Sequence, residues 1–241
     1  MSLDENYLPH RILRIFRKLL LNRFSLAFLY LRGEGIEVGA LHNPLKVAPG
    51  ARVRYVDRMS VSDLRRQYPE LNGKKLVPVD MVADGEHLES IGDDSQDFVI
   101  ANHFVEHCQN PLLAIENMLR VLRLEGVLYL ALPDKRFTFD LDRPVTPLAH
   151  LIRDYEEGPQ WSRRGHFEEW VCHVNGVHDP LEVQRQVEEL LAKQYSIHYH
   201  AWTQLEMTEM LLHLRGHFPF DIEVMLKYKN EVIYIVRKGG A

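Results

Sequence analysis

A glycine-containing turn and an acidic residue one strand later are residue types that can hold a nucleotide-type cofactor. Gly39 follows the apolar residues 36–38, and a glycine at such a turn lets the backbone approach a ligand closely. Asp57 follows a second apolar run at 53–56, where a carboxylate can accept hydrogen bonds from ribose hydroxyls. The sequence lacks a complete G-x-G-x-x-G motif, so this pattern indicates a kind of site without identifying its ligand.

Chemically capable residues also follow three later apolar runs. They are Asp80, Ala83, Asp84 and Gly85 after the third run, Asn102, His103, Glu106 and His107 after the fourth, and Asp134 and Arg136 after the fifth. Ligands of open α/β sheets bind outside the carboxyl ends of the strands. We therefore expect all of these positions to border one crevice.

Several side chains could act as a base in such a crevice. His198 and His200 alternate in the sequence, so an extended backbone would place them on one face. The preferred candidates are His200 and His103, with Asp134 as a further one. Since the chain holds 13 histidines, an ordinary hydrogen-bonded or exposed residue is the alternative for each.

The run from His103 to His107 also matches H-x-x-E-H, a zinc-protease pattern. That motif needs a helix long enough to bring both histidines to one face. Here the run follows a buried strand, and Asn110 and Pro111 begin a new helix within a few residues, which disfavours a zinc hydrolase. A divalent metal at Asp134, Asp140 or the histidines of 135–200 has no diagnostic spacing, so we predict no metal site.

The elements that must position these residues alternate between strands and helices. Strands are predicted at 36–38, 53–56, 75–79, 97–101 and 127–132, and helices at 60–68 and 110–123. Repeated βα units predict a doubly wound parallel sheet. With 241 residues, 46% of them hydrophobic and 26% charged, the chain can build one domain of generous size, which we place at 34–241.

Residues 135–200 interrupt this alternation and predict an inserted helical lid. Helices are expected after Thr146 and Pro147, around 166–174, and over 182–194. His166, His198 and Trp202 are candidates for binding an acceptor together with Arg136, although Trp202 could equally belong to a small core. The many arginines of the lid suit an anionic acceptor, with a self-paired, solvated surface as the alternative.

After the lid, Thr203 and Glu206 form a capping box that begins a helix ending near residue 215. Residues 221–226 and 232–236 then predict a closing hairpin.

Residues 1–33 predict a basic amphipathic helix, most clearly over 7–32. They carry six Lys and Arg residues and two acids, so their net charge is +4, against −9 for the remainder. Packing on its own domain or in a homodimer is favoured, and contact with an anionic membrane surface is the alternative.

Charge and cysteine content exclude some classes of protein. The net charge of −5 argues against general nucleic-acid binding. Cys108 and Cys172 lack a C-x-x-C spacing and predict free thiols in a reducing cytoplasm. No apolar run approaches the roughly 18 residues of a spanning helix, and Asp4 and Glu5 stand where a signal peptide would be basic. We expect a cytoplasmic protein.

Taken in order, these motifs resemble the class I S-adenosylmethionine-dependent methyltransferases, in their small bacterial, type 11-like form. The matching segments are 36–40, 55–57, 82–85 with Leu88, 97–107, 119–123 before Gly126, and 128–133. The resemblance covers residues 35–134 well and 203–237 moderately. It implies a Rossmann-like seven-stranded, mostly parallel doubly wound sheet with an antiparallel terminal hairpin and a helical lid insertion.

The resemblance also implies roles for individual residues. Glu37 and Gly39 would hold the methionine part of the cofactor, Asp57 the ribose hydroxyls, and Asp84 the adenine, with Ala83 and Gly85 beside the ring. Asn102 and His103 would lie beside the methyl sulfonium, and Ala40 and Arg58 are further cofactor-binding residues. The departure from the family is at 40–44, where a second glycine is usual. This substitution would narrow the cofactor pocket.

The function implied by the resemblance is methyl transfer to a small-molecule or sugar acceptor, with S-adenosylhomocysteine as the product. Oxygen is the expected target, since histidine and aspartate bases are at hand. Two alternatives remain: a catalytically inactive cofactor-binding module that acts through partners, and an NAD-type oxidoreductase, which the missing glycine motif disfavours.

Overall fold

A computed structural model describes residues 21–240 and contains a seven-stranded sheet. Its strands are β1 (Glu34–Val38), β2 (Arg52–Asp57), β3 (Met81–Val82), β4 (Gln96–Asn102), β5 (Leu122–Pro133), β6 (Phe220–Tyr228) and β7 (Glu231–Lys238). The spatial order is β3-β2-β1-β4-β5-β7-β6. The first five strands are parallel, whereas β7 runs antiparallel to both β5 and β6. The predicted doubly wound sheet and reversed terminal hairpin are confirmed.

Burial explains the two kinds of strand pattern in the sequence. In β4, residues 98–101 are fully buried, because helices cover both faces of the sheet there. β6 instead alternates between more and less exposed residues along most of its length, as expected for a strand at the edge of the sheet.

The third strand lies later in the chain than predicted. Residues 75–79 form no strand, and β3 consists of Met81–Val82 alone. The backbone N–H of Val77 donates to the carbonyl of Leu41 (2.8 Å) instead of to β2, and Leu76 packs with Leu64 away from the sheet. The apolar pattern of 75–79 therefore reflects a small side cluster and not a ladder.

Seven α-helices lie within residues 21–240. They are α1 (Arg23–Tyr30), α2 (Val61–Gln67), α3 (Pro111–Val121), α4 (Leu148–Glu157), α5 (Gln160–His173), α6 (Pro180–Ala192) and α7 (Gln204–Arg215). Buried side chains of α3, α4 and α7 contribute to the core on one face of the sheet, and α1 contributes to the core on the other. No helix in this part of the chain is long and apolar enough to cross a membrane.

Capping residues begin and end these helices as predicted. Asn110 accepts a hydrogen bond from the N–H of Leu113, with Pro111 in the first turn of α3. Thr203 and Glu206 form the expected capping box at the start of α7. Gly158 ends α4 with a positive φ of 84°, a conformation that favours glycine.

The predicted amino-terminal helix is only partly covered by the described residues. Asn22 is extended and caps α1, so residues 7–32 do not form one continuous helix. Within α1, Leu26 and Ala27 pack on the sheet, whereas Phe24 and Phe28 are exposed. The rest of that prediction, and with it the expected membrane or dimer contact, falls on residues 1–20, outside the described part.

The lid consists of α4, α5, α6 and the irregular segment 196–202. The three predicted helices are confirmed, with α5 beginning at Gln160, before the expected 166. Phe167 and Val171 form a small core with Val187 of α6 and Ile197. The helical spacing of Phe167 and Val171 in the sequence therefore indicates the core of the lid and not a ligand pocket.

Gly35 is a position where any side chain would disrupt the sheet. A Cβ atom there would lie 2.3 Å from the carbonyl oxygen of Phe98 and 2.4 Å from its ring. We expect Gly35→Ala to lower the free energy of unfolding by about 1–3 kcal/mol, the usual cost of overpacking a core. Urea denaturation measures it. Gly92→Ala is the matched control, because nothing lies within 4 Å of that position, and equal stability of both variants would contradict the expectation.

Candidate active site

Two connected cavities open at the carboxyl ends of the parallel strands. The larger, about 670 Å³, extends from Asp57 and Gly85 at the sheet to Trp170 and Tyr199 in the lid. The smaller, about 620 Å³, lies between Glu37 and the hairpin residues 228–231. Residues that border both cavities are Gly39, Leu41, His42 and His103. The predicted crevice thus exists and has a lid half and a hairpin half.

Asp57 stands at the end of β2 with its carboxylate on the larger cavity. It is half-buried, and this burial raises its pKa, against the opposing effect of the backbone N–H groups of Arg58 and Met59. Arg58 borders the same cavity and donates to the carbonyl of Gln194 in the lid (3.4 Å). Asp57, which can accept hydrogen bonds from hydroxyl groups, is therefore adjacent to Arg58, which tethers the lid.

Residues 83–85 form the neighbouring wall of the larger cavity. Asp84 is exposed, and its carboxylate accepts from the N–H of Glu86 (2.8 Å). Ala83 donates its N–H to the carbonyl of Asp57 (2.9 Å), which fixes this loop to β2, but its side chain packs on the core. A Cβ at Gly85 would lie 2.4 Å from the ring of Phe104, so only glycine leaves that ring in place.

Glu37 is a buried carboxylate at the end of β1, on the smaller cavity. It accepts hydrogen bonds from the N–H of Leu45 (2.9 Å) and from the side-chain amide of Asn102 (3.2 Å). Burial nevertheless raises the pKa of Glu37 from its usual 4.5 to about 7. A carboxylate held at this depth by neutral donors is suited to a positively charged ligand.

The turn after β1 differs from a glycine-rich turn at Leu41. Leu41 has a φ of 48°, in the left-handed region that favours glycine, and Asn43 donates to the carbonyl of Ala40 (2.9 Å). The turn thus keeps a glycine-like backbone while carrying a leucine side chain. Leu41 borders both cavities, so it narrows the passage between them.

His103 follows β4 and lies where the two cavities meet. It also has a left-handed φ of 49°. Its Nε2 lies 2.8 Å from a carboxylate oxygen of Glu231 on β7, and its Nδ1 lies 3.7 Å from Glu106. Burial opposes protonation, but these two carboxylates raise the pKa of His103 above its ordinary value.

His198 is the lid histidine that reaches the larger cavity. Its Nδ1 lies 2.7 Å from Asp140, whose other carboxylate oxygen accepts from Arg143 (2.8 Å). This carboxylate fixes one imidazole nitrogen, and the other nitrogen, Nε2, lies 4.0 Å from the buried carboxylate of Glu106. Burial works against ionisation of Asp140, but His198 and Arg143 lower its pKa, so it stays anionic.

His103 and His107 of the H-x-x-E-H run border the larger cavity without forming a protease motif, and Glu106 is fully buried. Val105–His107 is a single 3-10 turn, too short to place His103 and His107 on one helical face. His107 is paired through Nδ1 with the carbonyl of Ile197 (2.9 Å), and burial lowers its pKa to about 3. The sequence argument against a zinc hydrolase agrees with this geometry.

Two predicted site residues pair with each other outside the cavities. Asp134 is buried and bonded by Arg136 through Nε (2.9 Å) and Nη2 (2.6 Å). Although burial opposes ionisation, this guanidinium holds the pKa of Asp134 below its usual range. A carboxylate paired in this way is ionised near neutral pH, and the roles of Asp134 as a base and of Arg136 as an acceptor ligand stay predictions.

Three further predicted residues also lie away from the cavities, within the lid and its contact with the core. His200 and His166 are buried beside each other, with ring centroids 4.8 Å apart, and Trp202 stacks on His200. Neither the base predicted at His200 nor the acceptor contacts predicted at His166 and Trp202 are brought to the crevice. The segment 196–202 is not a strand, so alternation did not place His198 and His200 on one face.

Glu231, Phe139 and Tyr199 are site residues that the sequence did not identify as such, and Asp140 was considered only as a metal ligand. Glu231 is nearly 130 positions from His103, and no local pattern links them. Asp140 and Phe139 follow the fifth strand by several residues within a loop.

Comparison with known proteins defines the class to which this sheet and crevice belong. Residues 34–130 match the sequence profile of a family described as a methyltransferase domain. The match covers less than half of the chain, and over those residues the chain is similar to the S-adenosylmethionine-dependent methyltransferases, a likeness that implies S-adenosylmethionine as the cofactor. No curated protein matches the chain.

Solved structures with a similar fold share little sequence with this chain. A SAM-dependent methyltransferase from Methanosarcina mazei is 17% identical, with 91% of this chain and 98% of that chain covered and a TM-score of 0.47. A putative Zn-dependent alcohol dehydrogenase from Rhodobacter sphaeroides is 12% identical (94% and 90%, TM-score 0.49). The CurJ carbon methyltransferase is 10% identical (95% and 54%, TM-score 0.46). The chain spans about half of the last, and none of these likenesses bears on function.

The residues of the crevice fit the cofactor. Phe104 leaves no room for a side chain at Gly85. Both residues line the larger cavity next to Asp84, where the adenine ring would lie. Asp57 offers acceptors for ribose hydroxyls, and Glu37 offers an anion for the ammonium of the methionine part. The side-chain oxygen of Asn102 is buried without a hydrogen-bond partner next to Glu37, as expected of a group that awaits a ligand.

Proposed function

We propose that this protein transfers a methyl group from S-adenosylmethionine to a hydroxyl oxygen of a small-molecule or sugar acceptor. One observation carries the proposal: a single cavity connects the cofactor residues Asp57 and Gly85 with Trp170, His198 and Tyr199 of the lid. The cofactor extends from the sheet side of this cavity to Glu37 in the smaller cavity, and the acceptor enters the lid side. The bound sulfonium supplies an activated methyl group, so positioning is the main task of the protein.

His198 is the residue best placed to remove the proton of an acceptor hydroxyl. Asp140 holds its Nδ1, so that Nε2, which lies 4.0 Å from Glu106 Oε1, is the accepting atom. His103 lies at the opposite side, fixed by Glu231, and its raised pKa suits it to donate a hydrogen bond or to carry positive charge. Hydrogen bonds of Arg58 to the carbonyl of Gln194 and of the Tyr199 N–H to the carbonyl of Glu106 hold the lid beside this space.

The lining of the cavity favours a ring-shaped acceptor with hydroxyl groups. Phe139 and Trp170 pack edge-to-face with centroids 5.4 Å apart and present aromatic surface to the lid half. The lid arginines are largely self-paired, for example Arg143 with Asp140 and Glu169. Among the described residues that line the larger cavity Arg58 is the one permanent cation, so an anionic group on an acceptor in that cavity is expected to contact it.

Calorimetric titration of the purified protein with S-adenosylhomocysteine tests the cofactor half of the proposal. We expect binding in the micromolar range and none for NADH, which is the control for an NAD-type site. Release of S-adenosylhomocysteine from S-adenosylmethionine in the presence of a panel of hydroxylated acceptors then tests the catalytic half. Binding without turnover on any acceptor would favour the inactive module, for which Leu41 at the glycine position is the supporting observation.

His198→Gln is expected to lower kcat by about 100-fold or more, the usual contribution of a positioned general base. The affinity for S-adenosylhomocysteine should change little, because His198 lies in the lid half of the cavity. His173→Gln, at an exposed position at the end of α5, is the control. A variant with unchanged kcat and unchanged pH dependence would show that His198 is not the base.

A further inference from the structure

A group of three histidines and one aspartate lies buried inside the lid, apart from both cavities. It consists of His150 and Asp154 on α4, His166 on α5 and His200 on the segment that returns to the sheet. One ligand atom from each lies within 4.8 Å of all the others. The methyl transfer proposed above uses none of these four side chains.

The distances within this group resemble those of a metal site. His150 Nε2 lies 3.1 Å from His166 Nε2 and 3.2 Å from Asp154 Oδ2, and His200 Nε2 lies 3.9 Å from the same oxygen. Ligand atoms around a tetrahedral zinc ion are about 3.3 Å apart, given bond lengths of about 2.0–2.1 Å. A modest contraction of the longer separations would complete the tetrahedron.

Polar atoms left without hydrogen bonds support the same conclusion. Asp154 is fully buried, and its Oδ2 has no hydrogen-bond partner, although it points into the group of imidazoles. Its other oxygen accepts from the hydroxyl of Ser162 (2.8 Å), as an outer partner orients a ligating carboxylate. An uncompensated carboxylate oxygen in a buried site is costly unless a cation is bound.

We propose that His150, Asp154, His166 and His200 bind a structural zinc ion. Three imidazoles and a carboxylate are ligands that zinc accepts, and four protein ligands leave no open position for catalysis. The nearby cation Arg143 is neutralised by Asp140 and Glu169, so it does not oppose the ion. The ion links α4 and α5 to the segment carrying Tyr199, and so fixes the lid half of the crevice.

The site was not visible in the sequence because the spacing 150, 154, 166 and 200 matches no familiar zinc motif. A second group within residues 21–240, formed by Glu106, His107 and His198, has only three members. Without a fourth ligand that group does not complete a tetrahedral site, so it is the weaker candidate.

The test is the metal content of the untagged full-length protein, purified from zinc-supplemented medium and measured by plasma mass spectrometry. We expect one zinc ion per chain, and its removal by a chelator should lower Tm. His150→Gln and His166→Gln should each lose the ion, while His173→Gln on α5 should keep it. Circular dichroism verifies that each variant is folded.

A second measurement keeps the proposal testable if the variants do not fold. The chelated wild-type protein is titrated with Co²⁺, and a tetrahedral nitrogen–oxygen site gives visible absorption far stronger than that of the hydrated ion. Wild-type protein that contains no zinc and takes up neither Zn²⁺ nor Co²⁺ would overturn the proposal. Zinc retained by both folded variants but lost in His107→Gln would overturn it as well, by placing the ion at the other group.

Discussion

Asp57→Ala should weaken the binding of S-adenosylhomocysteine by at least about 100-fold, because it removes charge-assisted hydrogen bonds worth about 1.5–3 kcal/mol each. Asp57 borders the larger cavity at the end of β2, where its carboxylate can accept from both ribose hydroxyls. Burial already raises its pKa, so the free protein holds this carboxylate at a cost that cofactor binding offsets. Isothermal titration at pH 8 measures the change.

The control for this variant is Asp221→Ala. Asp221 is an exposed residue near the start of β6, at the opposite end of the sheet, where it pairs with Arg215. Its loss should leave cofactor affinity within about twofold of the wild type, as expected for a surface substitution. If folded Asp57→Ala protein binds S-adenosylhomocysteine as tightly as the control, Asp57 does not contact the ribose.

Glu37→Gln should stabilise the free protein above pH 7 and weaken cofactor binding at the same pH. The pKa of Glu37 is about 7 in the folded chain and about 4.5 when unfolded, so the unfolded state loses its proton first. Between these values the folded state holds more protons, and the free energy of unfolding falls as pH rises, by up to about 3 kcal/mol in total. Glutamine cannot ionise, so the free energy of unfolding of Glu37→Gln should not fall with rising pH for this reason.

Urea denaturation at pH 5 and pH 8 measures the stability part of this prediction. The wild type should lose stability over that interval relative to Glu37→Gln, while Glu89→Gln, at an exposed position, should follow the wild type. In titrations of S-adenosylhomocysteine, affinity for the wild type should rise as pH increases through 7, because the ionised carboxylate binds the ammonium group. The same pH dependence in Glu37→Gln would assign that role to another residue.

The sheet could be predicted from the sequence because most of its strands have a local signature. Buried parallel strands appear as short continuous apolar runs, and capping residues such as Asn110 mark where helices begin. Residues at strand ends, among them Gly39 and Asp57, follow from that order alone, since parallel strands bring their carboxyl ends to one edge. The strand misplaced at 75–79 lacked this support: its apolar residues pack in a side cluster.

The lid could not be predicted in the same way, because its contacts depend on how irregular segments bend. The N–H groups of Tyr199 and His200 both point to the carbonyl of Glu106 (2.8 and 3.4 Å), so the chain turns between them. That turn sends His198 to the cavity and His200 to the buried histidine group, against the expectation from alternation. The ion pair of His103 with Glu231 is equally invisible, because it joins distant positions of the chain.

The position of β7 has a consequence for the order in which the site is assembled during synthesis. This strand is the last of the sheet to be made, yet it inserts between β5 and β6 and supplies Glu231 to His103. Until residue 238 has left the ribosome, β5 has an open edge and the smaller cavity lacks a wall. A nascent chain can therefore form β1 to β5 early, but it cannot bind cofactor productively until the hairpin docks.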